Sequence, residues 1–237
     1  MCVIALFKKS KPTEEIIKQM SSINKDGAGV AWREDGVVNW RKGLSNETLF
    51  RITKELKLPF VVHFRFGTVG KNSKHLTHPF PVSKDIELDV VGSGKDVIFH
   101  NGHWEGWRDY CLGYIQTRSI RLPKGDFSDS RAIAWMVYHY GFEFLKLLPD
   151  TNKFIVMTPK HLWSSGDFKE KDGNWYSNLY WERTEVVTRY GWNADTQSWN
   201  KPSDDEKETK DEVVDGKTVE DTYGDEIFRS RENEYSV

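Results

Sequence analysis

One cysteine stands directly behind the initiator methionine in "MCVIALF". Loss of Met1 would leave Cys2 carrying both a thiol nucleophile and an α-amine of pKa about 7.7–8.0, close enough to neutrality to act as the thiol's own general base. The plainer reading makes Cys2 the first residue of a buried strand, since free cysteine behaves as a small hydrophobe. Three other stretches could do chemistry. In "HFRFGTVGKNSKHLTHPFP", Arg65 ends an apolar run and opens into a glycine-containing loop that also holds Thr68 and His78. A guanidinium so placed suits bidentate capture of a carboxylate, or is an ordinary surface arginine. "FHNGHW" sets Asn101 and Gly102 at the end of another apolar run. A side-chain amide and a glycine N–H there could form an oxyanion hole, or simply a hairpin turn. "SDSR" opens a long periodic stretch, where Asp129 could receive an ammonium group or serve as an N-cap or dipole partner.

The elements that must position these residues alternate in kind. "CVIALF", "FVVHFRFGT" and "DVIFHNG" read as strands with an apolar core. "GAGVAWR" and "GVVNWRK" flank "EDG" as a hairpin. "PTEEIIKQMSSI" has proline and then acids in its first turn, and "SNETLFRITKEL" opens on Ser45 or Asn46; both read as short helices. "SDSRAIAWMVYHYGFEFLKLLP" predicts one long helix ended by Pro149, with Ile133, Met136, Val137, Tyr140, Phe144 and Leu147 along one face. "KFIVMTP", "HLWSSGD" and "WYSNLYWE" return to strand. Strand blocks and helix blocks segregate, which favours a layered α+β fold with mainly antiparallel sheets.

Composition narrows the function classes. The 237 residues are 38% hydrophobic and 14% aromatic, enough for a sizeable core, with a net charge of −2 that argues against a generic nucleic-acid binder. Two cysteines, Cys2 and Cys111, make no disulfide framework, and the chain reads as cytoplasmic. Lysines and glutamates interrupt the first fifteen residues, so no signal peptide is expected, and no apolar stretch approaches the roughly 20 residues that span a bilayer. The near balance of charge hides an asymmetry. Residues 203–237 hold 13 acidic and 5 basic residues, a net of −8, which leaves +6 on residues 1–202. An acidic segment so poor in large apolar residues is expected to be a disordered tail, with 1–202 as the folded domain.

Cys2, then "DGAG" at Asp26–Gly29, then "HFRFGT…THPF", "FHNG" and "SDS", occur in an order and spacing that resembles class II glutamine amidotransferase domains. The resemblance covers roughly residues 2–190. It implies an N-terminal-nucleophile (Ntn) hydrolase, a four-layer αββα sandwich that hydrolyses the side-chain amide of L-glutamine to glutamate and ammonia without a cofactor. By motif match Cys2 would be the nucleophile and its freed amine the base. Asn101 and Gly102 would bind the oxyanion, Arg65 the substrate α-carboxylate and Asp129 its α-ammonium, with Thr68 and His78 in the substrate loop. The chemistry agrees with that assignment, because amide cleavage on a zwitterionic amino acid needs a nucleophile, a proton acceptor, an oxyanion site and one charge of each sign. The sequence departs from the pattern in three places. Val69 stands where the family often has histidine, Arg131 where it often has an acid, and "KDIELDVVGSGKD" looks like an inserted hairpin.

With only the acidic segment after the body, no second catalytic domain is expected, and the resemblance then implies a stand-alone glutaminase with a separate synthetase or ammonia acceptor. The rival readings are a non-catalytic binding module that keeps the pocket, or an amidohydrolase for another amide. Two H-x-x-H pairs, His75/His78 and His100/His103, raise a zinc site, but they sit in loop-like segments without cysteine partners, and no metal is expected. Ten tryptophans could stack on bases or sugars, but +6 is too diffuse for a nucleic-acid groove. Cys111, in "DYCLGY", lacks the flanking pattern of a cysteine protease.

Overall fold

The computed structural model describes residues 2–67 and 73–182, together with the paired strands Trp192–Asn193 and Ser198–Trp199. In chain order the elements are β1 (Val3–Phe7), α1 (Glu14–Ser22), β2 (Ala28–Glu34), β3 (Val37–Leu44), α2 (Asn46–Glu55) and β4 (Phe60–Phe64). They continue with β5 (Phe80–Pro81), β6 (Val91–Ser93), β7 (Val97–Asn101), α3 (Trp107–Arg118), α4 (Asp129–Tyr140) and β8 (Lys153–Met157). β9 (Leu162–Ser165), β10 (Lys169–Lys171), β11 (Asn174–Tyr176) and the β12–β13 pair at 192–199 complete the series.

β1, β4 and β7 are buried at every position. An antiparallel strand ordinarily shows one polar face, so uninterrupted burial means a layer lies against each side. Two antiparallel sheets supply those layers, with strand orders β10-β11-β1-β4-β2-β3-β6 and β5-β7-β8-β9. Ile4, Leu6, Ala31 and Val61 of the first meet Phe99, Ile155 and Met157 of the second between the sheets. The outer face of the first sheet, with Val3, Phe7, Phe60 and Val62, packs on Ile17 and Met20 of α1 and Leu49 of α2. The outer face of the second, with Ile98, Phe154 and Val156, packs on Ile133, Met136 and Val137 of α4 and Cys111 of α3. The result is the four-layer αββα sandwich with antiparallel sheets that the sequence pointed to. No helix among the described residues is long and apolar enough to cross a membrane.

The helix starts follow their caps. Thr13 Oγ1 accepts from the Ile16 N–H, Ser45 Oγ from Thr48 and Ser128 Oγ from Arg131, each satisfying a first-turn donor that the helix itself leaves open. Four expectations need correction. The long helix stops at Gly141, whose φ of 78° leaves the helical region, and Phe142–Leu147 continue as a 3₁₀ turn. Leu147, placed on the buried face by helical spacing, is consequently 77% exposed. α3 was not foreseen, because it opens on Gly106 with no side-chain cap, carries Gly113 inside and has little apolar periodicity. The inserted stretch forms no hairpin of its own; β6 adds to the edge of β3, with Trp40 opposite Gly92. In "WYSNLYWE" the strand ends at Tyr176, and Tyr180–Glu182 form a 3₁₀ turn. The expected acidic tail, 203–237, lies outside the described residues.

Candidate active site

Pairing in the first sheet decides what surrounds Cys2. Val3 lies opposite Phe64 on β4, and β11 flanks β1 on its other side through Ala5 and Tyr176. The residues just before β1 and just beyond β4 and β11 are therefore neighbours: Cys2, Arg65–Phe66 and Ser177–Asn178. β7 of the second sheet ends at Asn101 within reach of the same place.

Cys2 is half-buried, and its Sγ sits against the backbone of Phe66, 3.3 Å from the N–H and 3.4 Å from the carbonyl oxygen. Burial pushes the thiol up from its ordinary value. The Phe66 contact and the Arg65 guanidinium pull it back, and Asp129 adds to the rise. A thiol held in this state needs a base before it can attack.

The Cys2 carbonyl is held from two directions, by Asn101 Nδ2 at 2.7 Å and Asn178 Nδ2 at 2.8 Å. The Asn101 amide also donates to Ser177 Oγ at 2.8 Å. Ser177 is laced to the same strand, its N–H donating to the Ile4 carbonyl at 2.9 Å and its Oγ accepting from the Ile4 N–H at 2.9 Å. Gly102 follows with no room for a side chain, since a Cβ there would lie 2.3 Å from Asn152 Oδ1.

Arg65 is nearly buried at the end of β4, and its charge faces Cys2, Asp26 and Asp129. Burial lowers it somewhat, and those three neighbours favour its charged form. Its backbone is fixed by the Asp26–Gly27 loop: Arg65 N–H donates to the Gly27 carbonyl at 2.9 Å and the Arg65 carbonyl accepts from Asp26 at 3.0 Å. Asp26 Oδ2 accepts from the Gly67 N–H at 2.7 Å.

Asp129 is the first residue of α4 and is almost fully enclosed. Its Oδ2 accepts from the Trp104 N–H at 3.2 Å and lies 3.6 Å from His103 Nδ1; its Oδ1 accepts from the Ser130 N–H at 2.8 Å. Burial alone would raise this carboxyl, but His103, the neighbouring His100 and the two backbone donors outweigh it and hold it below its ordinary value. It therefore stays charged, the N-cap position itself being filled by Ser128.

The structure thus brings Cys2, Arg65, Asn101, Gly102 and Asp129 together, while Thr68 lies outside the described residues. His78 is placed inside the protein, its ring 4.0 Å from that of His63. His100 is spent on Ser130 Oγ and Asn152 Oδ1, both at 2.8 Å, and His75 on the Leu88 carbonyl at 2.9 Å. Among the described residues no group of three or more His, Cys, Asp or Glu could hold a metal. Ser177 and Asn178 were not picked out from the sequence, and His103 was weighed there only as a zinc ligand. The signal was present in "WYSN", a polar pair directly after an apolar run, the same arrangement that singled out Arg65 and Asn101.

No protein-family model matches the chain, and no curated protein does. Among solved structures it is similar to the allosteric regulatory enzyme of purine biosynthesis, with 18% identity and a TM-score of 0.49 over 74% of this chain and 41% of that one. It is also similar to glutamine phosphoribosylpyrophosphate amidotransferase from B. subtilis complexed with ADP and GMP, with 14% identity, a TM-score of 0.47 and the same two coverages. The chain spans about two fifths of the length of these structures.

Proposed function

We propose that the chain hydrolyses the side-chain amide of L-glutamine to glutamate and ammonia, with Cys2 as nucleophile once Met1 has been removed. The observation that carries this reading is the gathering of a thiol, a guanidinium and a carboxylate from three distant segments, with an asparagine amide bonded to the nucleophile's own carbonyl. One cation and one anion beside a thiol match the head of an α-amino acid, Arg65 for its carboxylate and Asp129 for its ammonium.

The freed α-amine of Cys2 takes the thiol proton, and the thiolate attacks the amide carbon. The carbonyl oxygen becomes an oxyanion, to which Asn101 Nδ2 and the Gly102 N–H donate. For that, Asn101 must give up one of its two bonds. The carbonyl of Cys2 is the one it can release, because Asn178 still holds it. The C–N bond then breaks, the amine's proton leaves with the nitrogen as ammonia, and glutamate remains as a thioester. Water, deprotonated by the same amine, hydrolyses the thioester and restores the thiol. Ammonia set free in water would be lost, so this reading calls for a separate synthetase or acceptor protein.

Intact-mass measurement and glutamate release test the reading together. The expected result is a chain lacking Met1 that releases glutamate, loses that activity in Cys2→Ala and is labelled at Cys2 by a glutamine-mimicking electrophile. Full amidase activity in Cys2→Ala would overturn it. A folded protein that binds glutamine without turnover would make it a binding module.

A further inference from the structure

Three adjacent strands of the first sheet place His63 of β4, Gly29 of β2 and Lys42 of β3 in one row, Gly29 being paired to each of the other two. Ile4 stands in the same row opposite His63 and points between the sheets, so this row does too. Gly29 has no side chain, and the backbone of His78 fills the space above it: a Cβ on Gly29 would come within 1.8 Å of the His78 carbonyl oxygen. The His78 ring lies 4.0 Å from the His63 ring and 5.0 Å from Phe80, and Lys42 Nζ lies 4.7 Å over that same Phe80 ring. An ammonium and two imidazoles are thereby gathered in the interior, each side chain at least 96% buried.

Among the described residues none of their five side-chain nitrogens has a hydrogen-bond partner of good geometry, the His63 ring having only a looser contact with the His100 backbone. A buried polar group without a partner is rare enough to call for an unseen one. The charge around Lys42 says of what kind. Glu87 is taken by Lys95 and Ser83, and Asp89 is exposed. Arg131, which also faces Lys42, adds positive charge and gives its hydrogens to backbone carbonyls of Asp85, Ile86, Lys124, Gly125 and Asp126. The charge of Arg65, which faces His63 and His78, is met by Asp26 and Asp129. Among the described residues no acidic side chain is bonded to the Lys42 ammonium. Burial holds both imidazoles below their ordinary value. Arg65 and His100 add to this at His63, where a contact with the His100 backbone opposes it, and His63, His100, Arg65 and Lys42 add to it at His78. Both rings are therefore neutral and bring no charge of their own.

We propose that Lys42, His63 and His78 form an internal binding site for one small monovalent inorganic anion of the halide class, distinct from the site at Cys2. Water could answer the donors but would leave the ammonium charge uncompensated in a low-dielectric interior. Without an anion, burial and Arg131 push Lys42 down to about 7, with Asp89 and Glu87 opposing. Anion uptake is therefore linked to protonation of Lys42 and weakens at alkaline pH.

The test compares thermal melting of the full chain in sodium chloride and in sodium gluconate at equal ionic strength, at pH 6.5 and at pH 10. Chloride is expected to raise the melting temperature saturably at pH 6.5 and to have little effect at pH 10. Cys2→Ala should keep this difference, while Lys42→Met and His63→Phe should abolish it. Equal melting in the two salts at pH 6.5, or an undiminished chloride effect in folded Lys42→Met, overturns the proposal. Should both variants fail to fold, bromide-soaked crystals of the unaltered chain decide. An anomalous peak within hydrogen-bond reach of Lys42 Nζ supports the site, and water alone at that position overturns it.

Discussion

Asn101 Nδ2 lies 2.7 Å from the carbonyl oxygen of Cys2, across 99 residues of sequence. The bond ties the second sheet to the residue that precedes the first strand of the other, and Asn178 duplicates it from the opposite flank at 2.8 Å. The two asparagines thus share one acceptor and differ in what else they can reach. In the proposed reaction Asn101, next to Gly102, supplies the oxyanion donor, and Asn178 holds the backbone while Asn101 turns.

From this division follow opposite signatures. Asn101→Ala is expected to lower kcat by about 10²–10³-fold, the usual effect of losing one oxyanion donor. Asn178→Ala should act mainly on stability, by roughly 1 kcal/mol for a lost neutral hydrogen bond, with a smaller fall in kcat. Steady-state kinetics beside melting curves separate the two. If Asn178→Ala lowers kcat as far as Asn101→Ala does, the roles drawn here are wrong.

Arg65 and Asp129 make a second pair, joined through the charges they present to Cys2. Arg65→Lys keeps the charge and loses the fork, so KM for glutamine should rise by an order of magnitude or more while kcat changes less. Asp129→Asn should also raise KM, and it removes the acceptor of the Trp104 and Ser130 N–H groups only in part, so the fold should survive. Unchanged kinetics in both variants would mean that the substrate is no α-amino acid bound this way.

How much of this was legible in the sequence depended on whether the signal was local. β1, the β2–β3 hairpin and α2 were readable because apolar runs, the Asp35–Gly36 turn and the Ser45 cap are all neighbours in the chain. Cys2, Arg65, Asn101 and Asp129 were readable as types at strand and helix ends, and their gathering follows from register. Asn178 shares that local signal in "WYSN", but its importance comes from β11 pairing beside β1, Tyr176 opposite Ala5, a partnership across the chain that no local pattern records. Lys42 was hidden for a related reason: β3 alternates as a half-exposed strand should, and only the closing of His78 over Gly29 buries the lysine.

Arg131 shows the same limit from the other side. It stands where an acid was looked for, and the structure makes it a clamp: its guanidinium donates to five backbone carbonyls in the 85–86 and 124–126 segments and lies 4.4 Å over Phe127. Removing it would leave the buried Ile86 carbonyl without its donor, at about 1–3 kcal/mol, loosen the four partly buried carbonyls that it ties together, and empty the space that the buried side chain fills. Arg131→Ala is expected to prevent folding or lower the melting temperature by 10 °C or more, on the order of what such a loss produces in a domain of this size. Circular dichroism melting would show it, and a variant that melts within a few degrees of the unaltered chain would refute the clamp.

Lys42 gives a pH dependence with a definite sign. Its folded pKa of about 7 lies below the ordinary value of 10.5. Between those two values the unfolded chain binds the proton and the folded one does not, so stability rises with pH over that window and is flat outside it. Each pKa unit is worth about 1.4 kcal/mol, so the lysine lowers stability at neutral pH by several kcal/mol relative to alkaline pH when no anion is bound. Lys42→Met removes the titrating group and fills the space with an unbranched apolar chain. In halide-free gluconate the variant should be more stable than the unaltered chain at pH 7, and the gap should close as pH approaches 10. Denaturant titrations of both proteins at half-unit steps from pH 6.5 to 10 measure it. Parallel curves across that range would mean that Lys42 keeps its proton in the folded protein, bound to a partner that holds on even without halide.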